Sequence, residues 1–278
     1  MDTDHILEEI RRVLDDPGIG ALAPGREERA WGEPLVGVAR GDDPLFVEFR
    51  DSIGPFYWTP LDAHRIAFPG STAGASDLAV IVYALPQTEA TRADQRACDT
   101  LPAHRWSLSR YYGEEINNRI RRDLSRALTD AGYPAVAPVE HPSWSREESE
   151  TLGMASRWSE RHAAYAAGLG TFGHTDALIT ARGMAVRIGS VVARIDLPAT
   201  PRPYTTRDQY CLRREGCTGC INRCPAGAIT PEGHDKERCG AYIEEVTAPH
   251  AEEAVGVRAA GCGLCQTRVP CESGIPRD

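Results

Sequence analysis

Residues 216–229 read GCTGCINRCPAGAI, with cysteines at 217, 220 and 224 and a proline directly after the last. Cys-x2-Cys-x3-Cys-Pro is the tail of the bacterial ferredoxin run, in which the final cysteine ligates a second cluster. Two thiolates two residues apart can turn toward one cluster. The third, three residues further on, points the other way, and the proline helps the chain leave at that angle.

The chain carries nine cysteines, and eight of them lie at or beyond residue 211. Two four-iron clusters with four ligands each need that many. Cys211, Cys217 and Cys220 share one cluster with a distant fourth ligand, best supplied by Cys271, and Cys224, Cys239, Cys262 and Cys265 bind the other. The first spacing is Cys211-x5-Cys217 where a standard run has two intervening residues, so three residues must loop out; Arg214 occupies the expected cysteine position. Structural zinc competes with this reading, since Cys-x2-Cys pairs also build four-thiolate zinc sites. The Cys-x3-Cys-Pro ending favours iron–sulfur. Cys98, alone in RACDT, reads as a partly buried thiol rather than a ligand.

The crowding of cysteines after the proline-rich LPATPRPY (197–204) divides the chain into residues 1–205 and a module over 206–278. The first part alternates helical and strand patterns. Ile6, Leu7, Ile10 and Leu14 predict a helix over 4–15, stopped by Pro17, and Leu108, Tyr112, Ile116, Ile120, Leu124 and Leu128 predict one over 107–132. DLAVIVYALP (77–86) is a continuous apolar run ended by proline, as in a strand buried on both faces. Strands are also expected over 133–140 and 184–197, and a helix over 156–170. The expected fold class is α+β: an α/β layered N-terminal domain followed by a ferredoxin-like module.

With 278 residues and 41% apolar content the chain can bury a substantial core. Its formal net charge of −9 argues against a general nucleic-acid grip. Lys236 is the sole lysine, so no phosphate-loop or Schiff-base lysine precedes it. The acidic, amphipathic start is unlike a secretory signal, and no apolar run is long enough to span a bilayer. These features lead to an expectation of a soluble cytoplasmic protein, with reduced thiols available to metals.

CTGCINRCPAGAITPEGHDKERC followed by GCGLCQTRVPC resembles the twin-cluster module of epoxyqueuosine reductases and, more distantly, that of reductive dehalogenases. Upstream, WSERHAAYAAGLGTFG (158–173) is similar to their catalytic-domain signature, a glutamate before an A-G-L-G-x-x-G turn. The resemblance covers about residues 75–275. It implies a base-off cobalamin held between the two parts, with electrons passing from an external donor of ferredoxin or flavodoxin type through both clusters to cobalt. Gly168, Gly170 and Gly173 are then candidates for close backbone approach to the corrinoid. They also match G-x-G-x-x-G, but this turn closes a helix instead of opening one, unlike a dinucleotide fingerprint.

Glu160 and His162 sit beside that turn and are candidate catalytic groups. Where the family carries a proton-donating aspartate this chain has Gly153-Met154-Ala155, and the nearest upstream carboxylate is Glu150. Tyr111 or Tyr112 could supply a phenolic proton instead. His234 and Asp235 lie between cluster ligands as outer hydrogen-bonding groups, and FYWTP (56–60) reads as core or pocket wall. Net charge, and the absence of the helical-repeat extension used against tRNA, argue against tRNA and for a small substrate. The rival reading is a two-cluster electron-transfer or redox-sensing protein without corrinoid.

Overall fold

The computed structural model describes residues 1–277. Its centre is a four-stranded sheet in the order β1 (Leu35–Arg40), β2 (Ala79–Pro86), β8 (Val186–Ala193) and β3 (Ala135–Val136), antiparallel at every pairing. The alternation of helices and strands therefore marks layers here, while strand direction is antiparallel. The register sets Leu35 opposite Ala84, and Ala79 opposite Ala193.

Every residue of β2 is buried. Ala79, Ile81, Tyr83 and Leu85 face a core built with α1 (Thr3–Asp15) and α5 (His104–Asp130). Val80, Val82 and Ala84 face a second core with α2 (Leu45–Ile53), α3 (Pro60–Ala67) and α6 (Glu160–Ala166). A strand packed on both faces needs apolar residues at both parities, which is why its sequence is an unbroken run. Asp2 caps α1 by accepting from the His5 amide, and Gly132, at φ +90°, follows the end of α5.

Three boundaries differ from expectation. The helix sought over 156–170 is limited to Glu160–Ala166, because Ser156 ends a hairpin of β4 (Arg146–Ser149) and β5 (Gly153–Ser156), and Gly168 turns left-handed at φ +78°. The strand over 133–140 keeps two residues before Pro138 opens a 3₁₀ turn. The strand over 184–197 spans Val186–Ala193. Between α6 and β8, β6 (Gly170–Phe172) and β7 (Leu178–Thr180) form a short antiparallel pair, and α4 (Glu89–Arg96) follows β2.

Beyond residue 205 the chain is mostly loop. It contains α7 (Gly219–Arg223), the two-residue strands β9 (Ile229–Thr230) and β10 (Gly233–His234), and α8 (Lys236–Tyr242), which runs through a π-helical turn into α9 (Ala248–Val255). Among the described residues no helix is long and apolar enough to cross a membrane.

Candidate redox and substrate site

The thiols gather in two sets. Cys211, Cys217, Cys220 and Cys271 line a single cavity, with Met184, Gly173, His174 and Thr175 of the N-terminal part completing its wall. Burial, with Cys211 and Cys217 adding to it, pushes the Cys220 thiol up to about 11. Cys271 is pushed up to about 12 by burial and then by the same group. In the other set, burial raises Cys262 to about 11 with Cys224 and Cys239 adding to it, and raises Cys265 strongly with those same three partners. Cys265 also feels Cys220, so the two sets adjoin.

Local chain geometry explains the positions. Arg223, between ligand candidates 220 and 224, is buried and donates to the carbonyls of Thr267 (3.1 Å), Cys98 (2.8 Å) and Gln95 (3.3 Å). It ties α7 to α4 and to the segment between Cys265 and Cys271. Cys271 is hung on the N-terminal part by a strap, in which the Met184 amide donates to its carbonyl at 2.9 Å. The next residue, Glu272, is buried and pairs with Arg96 and Arg92 of α4. Gly183 is obligatory there, since its φ is +82° and a Cβ would fall 2.1 Å from the Glu272 carbonyl oxygen.

Cys98 stands apart, with its thiol 3.5 Å from the Asp94 carbonyl and raised by burial. His234 Nδ1 is 3.3 Å from Asp176 Oδ2. Asp235 caps α8.

The second feature is a polar row between α5, β8 and α6. Arg121 is buried, and its guanidinium lies 3.1 Å from Glu160 and 3.0 Å from Glu114. The Ser190 hydroxyl donates to the other Glu160 oxygen and itself accepts from Trp158 Nε1 at 2.9 Å. Burial raises the Glu160 carboxyl above the usual range, while Arg121 and Ser190 pull it back. Burial also opposes the charge on Arg121, but Glu160, Tyr83 and Glu114 outweigh it, so the guanidinium stays charged. Both Glu160 oxygens are engaged, which makes it an organiser of the site.

His162 sits in an aromatic cage of Phe49, Tyr57 and Phe172, with Nδ1 2.8 Å from the Ser159 hydroxyl. Burial, then Arg207 and Arg161, lower its pKa to about 3, so the ring is neutral. Tyr57 and Trp58 of the FYWTP stretch are buried, and Tyr57 stacks on Trp158. They form core. Tyr112 packs against the α1–α5 core, whereas Tyr111 is exposed.

The three glycines make their close approaches to protein. A Cβ on Gly170 would lie 2.1 Å from the Ile179 carbonyl oxygen, one on Gly168 2.7 Å from that of Pro201, and one on Gly173 3.3 Å from the Ile179 side chain. In the direction a side chain would take, each glycine meets protein, while Gly173 also lines the cavity of the first thiol set.

The polar row was missed in the sequence, although a signal was present. Arg110, Glu114, Asn117 and Arg121 follow one another at helical spacing on α5, beside its apolar stripe. Arg187 closes the row from β8, with Nε 2.7 Å from Glu114.

No family model matches the sequence. Two curated proteins do: epoxyqueuosine reductase of Bacillus cereus is 31% identical over 122 residues, and that of Bacillus anthracis is 30% identical over the same length. The chain is similar to epoxyqueuosine reductases, as a divergent relative. The match takes in 42% of this chain, and it spans only 30% of the length of either epoxyqueuosine reductase. Among solved structures, a catabolic reductive dehalogenase superposes with a TM-score of 0.53 at 15% identity, over 98% of this chain and 37% of its own. Another reductive dehalogenase structure, described as suggesting a mechanism for B12-dependent dehalogenation, gives 0.51 at 16% over 87% of this chain and 30% of its own. These two likenesses concern the fold, a mixed arrangement of helices and strands.

Proposed function

We propose that this protein is an iron–sulfur oxidoreductase of epoxyqueuosine reductase type, in which the module over 206–278 holds two four-iron clusters and residues 1–205 hold the substrate. The observation that carries the proposal is the sorting of eight thiols into two adjoining sets of four, one of them ringing a cavity. Four thiols around a cavity suit a cluster with a metal at each corner. On this reading Cys211, Cys217, Cys220 and Cys271, which line one cavity, would hold one cluster, and Cys224, Cys239, Cys262 and Cys265 the other. The amide of Ala228 already donates to Cys224 Sγ at 3.2 Å, the kind of hydrogen bond that stabilises a thiolate ligand.

When bound, the clusters supply one-electron transfer from an external donor of ferredoxin or flavodoxin type, and a base-off cobalamin would supply low-valent cobalt. This chain's own residues position and exclude. Arg121 and Ser190 fix Glu160; the cage around His162 keeps an apolar, proton-poor wall beside it. Of the two candidate phenols, Tyr111 is the exposed one and would be the better placed to supply a proton. A small organic substrate fits the acidic chain better than tRNA, although an epoxyqueuosine reductase has been solved with an epoxyqueuosine-modified tRNA stem loop. A cytoplasmic setting would keep these thiols reduced and open to metals.

A second reading, electron transfer or redox sensing without corrinoid, needs the thiol module alone; the close approaches that Gly168, Gly170 and Gly173 permit in the Cβ direction are made by protein.

Anaerobic purification with iron and sulfide analysis tests the proposal. About eight irons and eight sulfides per chain are expected; stoichiometric zinc without sulfide overturns it. Titration with cobalamin then separates the two readings. A base-off spectrum at tens of micromolar supports the corrinoid, and its absence leaves the two-cluster carrier.

A further inference from the structure

The loop that carries Cys262 and Cys265 is seated on α4 and α5 of the helix–sheet–helix sandwich. Gln95, fully buried on α4, donates from Nε2 to the Cys262 carbonyl at 2.9 Å and accepts from the Ala103 amide at 2.8 Å. One turn apart on α5, Trp106 and Arg110 reach the same loop. Arg110 donates from Nε (3.2 Å) and Nη2 (2.8 Å) to the Ala260 carbonyl. A Cβ at Gly261, where φ is +153°, would collide with that Nε. Trp106 fills the equivalent space at Gly263, whose φ is +69°. A Cβ there would fall 2.0 Å from Cε2 and Cζ2 and 2.3 Å from Nε1. The nitrogen-bearing edge of the indole is therefore the edge laid against the backbone between the two thiols.

Trp106 is 2% exposed, and among the described residues its Nε1 has no hydrogen-bond partner. Other tryptophans of the protein place theirs. Trp31 Nε1 donates to the Gly113 carbonyl at 3.3 Å, Trp144 Nε1 to that of Trp158 at 3.3 Å, and Trp158 Nε1 to the Ser190 hydroxyl at 2.9 Å. A buried N–H left unpaired forfeits its hydration with nothing in return, and native structures seldom leave one.

Away from the loop Trp106 packs on Ala103 and Ala185, with Cys98 against them, which offers the N–H no oxygen. The loop side offers sulfur. The Leu264 amide hydrogen-bonds the Cys262 thiol, which folds that thiol back along the Gly263 backbone where the indole edge lies.

We propose that the Trp106 indole N–H donates to a sulfur, thiolate or sulfide, of the cluster held by Cys224, Cys239, Cys262 and Cys265. The proposal deepens the two-cluster reading and rests on it. An N–H directed at cluster sulfur stabilises the negative charge added on reduction, and so raises the reduction potential. A residue of α5 thereby sets the potential of a cluster whose ligands all belong to the other part of the chain.

The test uses the anaerobically reconstituted full chain, with its tryptophans labelled with heavy nitrogen. Pulsed electron paramagnetic resonance of the reduced clusters should show a hyperfine coupling to an indole nitrogen, and Trp106→Phe should remove it. In a redox titration Trp106→Phe should lower the potential of one cluster, shifting its reduction equilibrium about threefold to tenfold, where tenfold is 59 mV for one electron. The other cluster should keep its potential. Trp144→Phe, which removes an N–H given to a carbonyl, should change neither reading. If Trp106→Phe fails to load iron, benzothienylalanine at position 106 takes its place, being isosteric with tryptophan and lacking the N–H.

No coupling in the reduced wild type overturns the proposal. A coupling that survives in Trp106→Phe does the same. So does one that disappears while both potentials stay put, since the indole would then lie beside the cluster without bonding to it. Iron and sulfide analysis keeps the two failures apart. About eight irons without the coupling sink this proposal alone, whereas stoichiometric zinc without sulfide sinks the two-cluster reading and this one with it.

Discussion

On the two faces of the sheet, large side chains such as Trp31, Trp158, Tyr57, Phe46 and Leu85 are fully buried, with aliphatic side chains from five helices around them. Past residue 205 the buried apolar set falls to Ala228, Ile229, Ala248, Ala251, Ala259, Leu264 and Val269, more than half of it alanine. So small an apolar set cannot offset the entropy of ordering some seventy loop-rich residues. On the two-cluster proposal the module would draw its stability from metal–thiolate bonds, beside polar ties to the sandwich such as Arg223 and Glu272.

The largest effect should follow from removing the metals. Iron chelation, or Cys265→Ser in the second thiol set, should open the module to protease while a fragment of about residues 1–205 survives. Limited proteolysis followed by mass spectrometry reads this, and an iron-free protein that resists cleavage throughout breaks the comparison. Glu160→Gln should do the reverse. It leaves buried Arg121 with half its partners, at a cost of about 3–5 kcal/mol to the sandwich, with iron content unchanged. Denaturation followed by tryptophan fluorescence measures it.

Smaller effects sharpen the boundary between the two regions. Glu272→Gln cuts the tie to Arg92 and Arg96; a loss of about 1–3 kcal/mol is expected, seen as faster iron release to a chelator. His162 makes the sandwich acid-sensitive. Its folded pKa of about 3 lies below the unfolded value near 6.5, so the unfolded chain binds the proton more readily. Stability is full above about pH 6.5 and falls by at most about 1.4 kcal/mol per unit as pH drops toward 3. Urea midpoints at pH 7 and 5 should differ in wild type, and differ less in His162→Phe. Cys98→Ser should change stability by less than about 0.5 kcal/mol, with iron content and visible spectrum unaltered.

The sandwich and the thiol sets were legible in the sequence to different depths. The unbroken run of β2 and the stripe on α5 were plain, because both faces of one and a single face of the other are apolar. The crowding of eight cysteines past residue 205 could be counted. Strand direction could not, since alternating helices and strands do not distinguish an antiparallel sheet from a parallel one. The β4–β5 hairpin, REES against GMAS, has neither β-branched residues nor alternation and is defined by backbone pairing alone. The glycines of 168–173 looked available to a ligand because sequence shows where backbone can approach closely, and gives no sign of what approaches it. The polar row stayed hidden because Arg121 and Glu160 are types usually assigned to the surface, and only the fold brings them together.

The strap that carries Cys271 imposes an order of biogenesis. Its carbonyl is pinned by the Met184 amide, and the space for Glu272 exists because residue 183 has no side chain. The last donor of the first thiol set therefore cannot reach its place until the leading edge of β8 has been laid down and Arg92 and Arg96 of α4 are there to receive Glu272. Nascent chains with a misfolded sandwich would present three thiols and no fourth. On the two-cluster proposal, metallation at that set would work as a proofreading step, admitting the metal to chains whose other half is already correct.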